Sequence, residues 1–163
     1  MAHDARYGYE YAMPPTQPNN VIFCEVPLGS SEYAAAIRLR AAVLRKPLGL
    51  EFSAEEMAAE PECRHFVGLL GTEVVATLLL KPLDAQTVKM RQVAVEPAMQ
   101  GSGIGAGLVR FAEDAARKLG FKRIVAHARG TAVKFYQRLG YVVKGEPFLE
   151  NTIPHQFVSK ALR

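Results

Sequence analysis

Four glycines fall within eight residues at Gln100-Gly101-Ser102-Gly103-Ile104-Gly105-Ala106-Gly107. They separate a strand-like run, Lys89–Val95, from a long amphipathic segment that ends near Leu119. Glycine has no Cβ and takes positive φ readily, so such a loop can bring its backbone close to a ligand. A helix opening behind the loop presents unpaired N–H groups and a partial positive charge. Strand, glycine loop and helix in that order suit a phosphate-bearing ligand. The segment therefore points to an α/β fold with an anion-binding turn.

Two phosphate-binding arrangements compete for it. Gly101-x-Gly103-x-x-Ala106 fits the loose dinucleotide fingerprint. Three features count against that match. Glu96–Gln100 stands between the strand and the glycines, too little chain follows for a dinucleotide fold, and the next strand, Arg123–His127, ends without an acidic residue for a ribose. Arg129 could serve a 2′-phosphate instead, so a dinucleotide-binding oxidoreductase stays open at this point. A P-loop is excluded, because no Lys-Ser/Thr pair follows the glycines.

The strand–glycine loop–helix unit resembles the acetyl-CoA pyrophosphate loop of the GCN5-related N-acetyltransferases (GNAT). That family's pattern, Gln/Arg-x-x-Gly-x-Gly/Ala, is met by Gln100, Gly103 and Gly105. A second stretch, Ala132–Tyr141, is similar to the family's Ala-x-x-Phe-Tyr-x-x-x-Gly-Phe helix. The resemblance covers roughly residues 21–160. Val43–Gly49 and Ile153-Pro154-His155 further resemble a bacterial subgroup of small predicted acyltransferases. The implied fold is a GNAT domain, a mixed, mostly antiparallel sheet flanked by helices.

Composition is compatible with this. Lys and Arg exceed Asp and Glu by 20 to 16. That mild excess suits an anionic ligand, and no basic run with interleaved aromatics suggests nucleic acid. No apolar run approaches the length of a membrane span and no signal-peptide pattern opens the chain. Cys24 and Cys63 lack metal-ligand or CxxC spacing and read as two reduced thiols of a cytoplasmic protein, with no metal site.

Residues 1–20, with Tyr7, Tyr9, Tyr11 and three prolines, read as an irregular arm. Its tyrosines are candidates to cover a neighbouring element or a partner subunit of a homodimer. A single domain is expected over residues 21–163. It begins with a strand at Val21–Val26 and a helix from Glu32 to Leu44 capped by Ser30 or Ser31. A capping box at Ser53 and Glu56 starts a second short helix. A hairpin follows, His65–Leu70 and Val74–Leu80 around Gly71-Thr72, then a strand at 88–95. The helix over 103–119 should bury Ile104, Leu108, Phe111, Ala112, Ala115 and Leu119. It should turn Arg110, Glu113, Asp114, Arg117 and Lys118 to water. Short closing strands are expected at Tyr141–Lys144 and Gln156–Lys160, with Ile153-Pro154 forming a rigid turn before His155.

The resemblance implies direct acyl transfer from acetyl-CoA to a small-molecule or peptide amine. Backbone groups of Val93, Ala94 and Val95 would pair with the pantetheine, and one near Val93 would polarise the thioester carbonyl. Gln100, Gly101, Ser102, Gly103, Ile104, Gly105 and Ala106 would cradle the pyrophosphate. Phe135 and Arg129 would flank the coenzyme, although Arg129 stands where the family often has Asn. Tyr136 would protonate the departing thiolate. His155 and Glu150 are the leading bases for the amine, with His127 and His65 as further candidates. A second class, a non-catalytic coenzyme-A-binding module of the same fold, is disfavoured by Tyr136.

Overall fold

The computed structural model describes residues 20–163, and among residues 1–19 the backbone of two short strands. These are β1, Ala2–Asp4, and β2, Tyr9–Tyr11, which pair antiparallel. The rest of the expected N-terminal arm, including Tyr7 and the side chains of Tyr9 and Tyr11, lies outside the described residues.

The long strands are β3 (Ile22–Val26), β4 (Arg64–Leu70), β5 (Glu73–Pro82), β6 (Thr87–Val95), β7 (Arg123–Arg129), β8 (Val142–Glu150) and β9 (Ile153–Ala161). They form one seven-stranded mixed sheet in the order β3-β4-β5-β6-β7-β9-β8. The helices are α1 (Ser31–Arg40), α2 (Ala54–Ala58), α3 (Ile104–Lys118) and α4 (Val133–Arg138). The mixed α/β class expected from the sequence is therefore present. None of the described helices is long and apolar enough to cross a membrane.

Backbone proximity groups the chain into two compact units. The first holds Met1–Leu79 and Gln92–Phe111. Here β3 and β4 pair antiparallel from Ile22↔Leu69 to Val26↔His65. The Ser30 hydroxyl caps α1 by accepting from the Tyr33 amide. That helix lays Tyr33, Ala36 and Ile37 on Cys24, Val26, Val67 and Leu69. On the other strand face, Phe23 and Phe66 each lie 6.2 Å, centroid to centroid, from Phe111 of α3. Both faces are thus sealed by apolar burial, the main favourable term in folding. The Ser53–Glu56 capping box is formed in both directions.

Arg40, at the end of α1, is 1% exposed. After it the helix loosens into a π turn, Ala41–Arg45, which ends with Arg45 buried beside Glu56 and 4.8 Å from the Phe52 ring. The uniform helix expected to Leu44 is therefore shorter. Arg40 and Arg45, at the two ends of this stretch, each meet a carboxylate, Glu60 and Glu56.

The second unit holds Leu80–Arg91 and Ala112–Arg163. The start of β6 pairs parallel with β7, Thr87↔Arg123 to Met90↔Ala126. β7 and β8 both pair antiparallel with β9. One correction concerns Glu113, which was expected in water but is 2% exposed. Its carboxylate accepts from the Tyr141 hydroxyl at 2.8 Å and from Lys160 Nζ at 3.0 and 3.1 Å. Leu119, expected inside, is 45% exposed, because Gly120 takes φ +92° and turns the chain just behind it. The second correction concerns the last strands, which are longer than expected. Asn151 and Thr152, both at positive φ, form the two-residue turn between Glu150 and Ile153. Two positive-φ residues in a two-residue connection give the hairpin twist that matches paired strands. Ile153-Pro154 is therefore strand and not turn. A bulge between Lys144 and Phe148 absorbs Gly145-Glu146-Pro147.

Candidate functional site

In the first unit, the glycine loop sits where the sequence places it. Pro97–Met99 form a 3-10 turn after β6, and α3 begins at Ile104. Gly101 and Gly103 have φ of +79° and +89°, and a Cβ on either would meet nothing within 4 Å. Backbone conformation, not crowding, demands glycine there, and the space beside the loop is open. Ser102 Oγ donates to the Met99 carbonyl at 2.5 Å, and Gln100 Nε2 donates to the Val95 carbonyl at 3.1 Å. The loop is therefore tied to itself and to the strand end. The Gly107 amide donates to the Gly103 carbonyl at 3.0 Å, the first bond of α3. The amides of Ile104, Gly105 and Ala106 have no acceptor within the helix, as in any first turn.

Val93 and Val95 are half-buried and Ala94 is buried. The β6–β7 register ends at Met90, whereas the Glu96 amide still donates to the Val75 carbonyl at 2.8 Å. Between them Gln92 takes φ +54°, a left-handed residue inside a strand. A residue of that kind bends a strand and interrupts its pairing. The sequence reading missed it, since a glutamine amid alternating residues carries no turn signal. Gln92 Oε1 accepts from Arg40 Nη1 at 2.6 Å.

His65, one of the candidate bases, also belongs to this unit and is committed elsewhere. It is 4% exposed, its Nε2 donates to the Glu60 carbonyl at 3.0 Å, and its ring meets Tyr33 edge-on. Burial pulls its pKa below the usual imidazole value.

In the second unit, β7, β8 and β9 bring three of the candidate groups together. His127 Nδ1 lies 3.4 Å from Glu150 Oε1, and His155 Nε2 lies 3.5 Å from Glu150 Oε2. One carboxylate thus faces two imidazoles. His155 is buried, and its Nδ1 donates to the Ile153 carbonyl at 2.7 Å. That bond fixes the tautomer and leaves Nε2 as the ring nitrogen that faces Glu150. Phe148 stacks on His155 and meets His127 edge-on. Lys89 Nζ lies 3.4 Å from His127 Nδ1. Burial and the Lys89 charge lower the His127 pKa, against the pull of Glu150. Burial lowers the Lys89 pKa as well. Lys89 and Phe148 were not singled out from the sequence. The period-2 alternation of β6 places Lys89 on the same face as Arg91, a signal that was available.

Tyr136 and Phe135 begin the middle of α4. Tyr136 is buried and Phe135 half-buried, with ring centroids 5.1 Å apart. Tyr141 packs edge-on against Tyr136 at 5.4 Å. Burial raises the Tyr136 pKa, so its phenol stays protonated at neutral pH. Arg129 closes β7, directly across from His155 in the register.

The profile of the acetyltransferase (GNAT) family matches residues 34–141, more than half of the chain. The chain belongs to the acetyltransferase (GNAT) family. Among individual proteins it is similar to the uncharacterized protein YyaT of Bacillus subtilis, 24% identical over 103 residues that cover 63% of this chain and 69% of YyaT. A predicted N-acetyltransferase of Lactobacillus plantarum has a similar structure. It is 28% identical, with a TM-score of 0.76 over 88% of this chain and 97% of that one. A GNAT family acetyltransferase of Elizabethkingia anophelis, with acetyl-CoA bound, shares the fold at 19% identity. Its TM-score is 0.70 over 89% of this chain and 100% of that one.

Proposed function

We propose that this GNAT protein is an N-acetyltransferase that moves an acetyl group from acetyl-CoA to a primary amine by direct attack in a ternary complex. The observation that carries this reading is the loop before α3, with Gly101 and Gly103 in left-handed conformations facing open space. Backbone amides of Gln100–Ala106 hold the pyrophosphate at the positive end of the helix. The Elizabethkingia protein, which binds acetyl-CoA on this fold, supports the choice of donor. An aminoglycoside 6′-N-acetyltransferase complexed with coenzyme A, also of this fold, supports an amine as acceptor.

The strand end Val93–Val95 offers its backbone to the pantetheine in the manner of an added strand. An N–H near Val93 polarises the thioester carbonyl. The amine nitrogen attacks that carbon, the C–N bond forms, and the C–S bond breaks. Tyr136 donates its phenolic proton to the departing thiolate and is reprotonated by the second proton that the nitrogen loses as the amide forms. Phe135 and Arg129 belong to the coenzyme side. An alkyl ammonium at pH 7 lies about three units below its pKa, so freeing the amine costs about 4–5 kcal/mol. His155 takes up that proton through Glu150, whose two oxygens face His155 and His127. The relay lets a half-exposed carboxylate pass the proton to a buried imidazole.

The test is to mix the protein with acetyl-CoA and a panel of polyamines, aminoglycosides, amino acids and peptides, and to follow free coenzyme A thiol. The reading predicts one thiol released for each amide formed. Acetyl-CoA binding with no thiol release across the panel would mark a coenzyme-binding module instead. Thermal stabilisation by NAD or NADP and not by acetyl-CoA would mark a dinucleotide site.

A further inference from the structure

A buried polar network in the first unit has no part in the chemistry just described. Arg40 is 1% exposed, and its Nη2 and Nη1 reach the two Glu60 oxygens at 2.5 and 3.3 Å. The Tyr33 hydroxyl donates to Glu60 at 3.0 Å, and burial with the Glu60 charge pushes its pKa up to about 12. Burial acts to raise the Glu60 pKa, but the Arg40 guanidinium and the Tyr33 hydroxyl hold it below the usual carboxylate range. Phe52 covers the guanidinium at 5.6 Å. Arg40 Nε, buried, has no hydrogen-bond partner among the described residues. Among the described residues the hydrogen bonds of the guanidinium therefore run through its Nη atoms. One of these, Nη1, spends its best bond on Gln92 Oε1, at 2.6 Å.

Gln92 is the residue with φ +54° inside β6. A side chain with a Cβ populates that region sparsely, and such a residue persists where its surroundings over-determine it. The Arg40 bond supplies that constraint. The next three residues are Val93–Val95, whose backbone the proposed function assigns to the coenzyme.

We propose that Arg40, anchored by Glu60 and Tyr33, is a positioning residue of the donor site: its bond to the Gln92 side chain holds Gln92 left-handed and so aims the Val93–Val95 backbone at acyl-CoA. This rests on the proposed acetyl-CoA reading. The buried ion pair then has a use beyond stability, which buried pairs supply poorly. A glutamine suits position 92 because its carbonyl accepts from a guanidinium without adding a charge to the strand.

The experiment measures acetyl-CoA affinity by calorimetry for the wild type, Gln92→Leu and Gln92→Glu. Leucine removes the acceptor at similar volume, and glutamate keeps one. Gln92→Leu should bind about tenfold more weakly or worse, the scale of a lost hydrogen bond to a charged group. Gln92→Glu should stay within about threefold of wild type. The Cα and Cβ chemical shifts of residue 92 in the ligand-free protein should leave the left-handed range in Gln92→Leu alone. If Gln92→Leu does not fold, Arg40→Lys replaces it. That variant keeps a cation for Glu60, but its single ammonium lacks the fork that reaches Gln92 as well, and it should show the same loss. Wild-type affinity in Gln92→Leu or Arg40→Lys overturns this inference and leaves the proposed function standing. A wild-type protein that does not bind acetyl-CoA overturns both.

Discussion

Lys160→Met should destabilise the protein strongly, because Lys160 is the cation that compensates a buried carboxylate. The Glu113 side chain is 3% exposed and the Lys160 side chain 22%. Lys160 Nζ donates to both Glu113 oxygens and to the Leu139 carbonyl at 2.7 Å. Removing one partner of a buried pair costs about 3–5 kcal/mol. The partial exposure of Lys160 and the remaining Tyr141 bond put this case at the lower end, about 3 kcal/mol. For a chain of this size that is a fall of about 6–12 °C in Tm. Adding Glu113→Leu removes the uncompensated charge and leaves the Tyr141 hydroxyl and the Leu139 carbonyl without partners. Those two groups together should cost about 2 kcal/mol, so the double variant should be more stable than Lys160→Met alone. Urea unfolding at pH 7, with m-values compared across the cycle, reads all of these differences. A Lys160→Met loss below about 1 kcal/mol, or a double variant as unstable as the two single losses summed, would refute the reasoning.

Other outcomes follow from the same contacts. Tyr136→Phe keeps the ring packing against Phe135 and Tyr141 and should lower turnover by about 10²-fold, with acetyl-CoA affinity near wild type. Unchanged turnover on a good acceptor would make Tyr136 a packing residue. His155→Ala should remove the acidic limb of the pH–rate profile, and a retained limb with normal turnover would assign the base elsewhere. The folded-state pKa of His65 lies below the unfolded imidazole value, mainly through burial. Its contribution to stability is therefore present above about pH 6.5 and is lost as pH falls below that value, while the unfolded chain takes up the proton first. Urea midpoints should drop between pH 7.5 and 5.5, and the drop should shrink in His65→Gln, which keeps a donor for the Glu60 carbonyl. An equal drop in both proteins would contradict this.

What could be read from the sequence was local. The glycine loop, α3 and the Ser53 capping box each depend on residues within about one turn of one another, so pattern and propensity fix them. His155 and Glu150 were named as alternative bases, and the strand pairing that brings them together was not foreseen. A Pro-directed turn was expected, and an Asn151-Thr152 hairpin does the work. Threonine at positive φ carries no propensity signal, and tertiary pairing of β8 with β9 overrides its preference. Glu113 was misplaced because a charged residue at a helical position reads as solvent-facing until its distant partners, Tyr141 and Lys160, are known. The Arg40–Gln92 bond was invisible for the same reason. It spans 52 residues of sequence, and neither residue breaks the local pattern.

Titration of acetyl-CoA into the wild-type protein and into Gly103→Glu, followed by calorimetry, tests the central assignment most directly. Gly103 is exposed at φ +89° with open space where a side chain would project. Glutamate there adds strain, bulk and a negative charge facing phosphate. The account predicts one-site binding by the wild type and a loss of at least about 10²-fold in the folded variant, near 3 kcal/mol. Equal affinity in a folded Gly103→Glu, or no binding by the wild type, would contradict it.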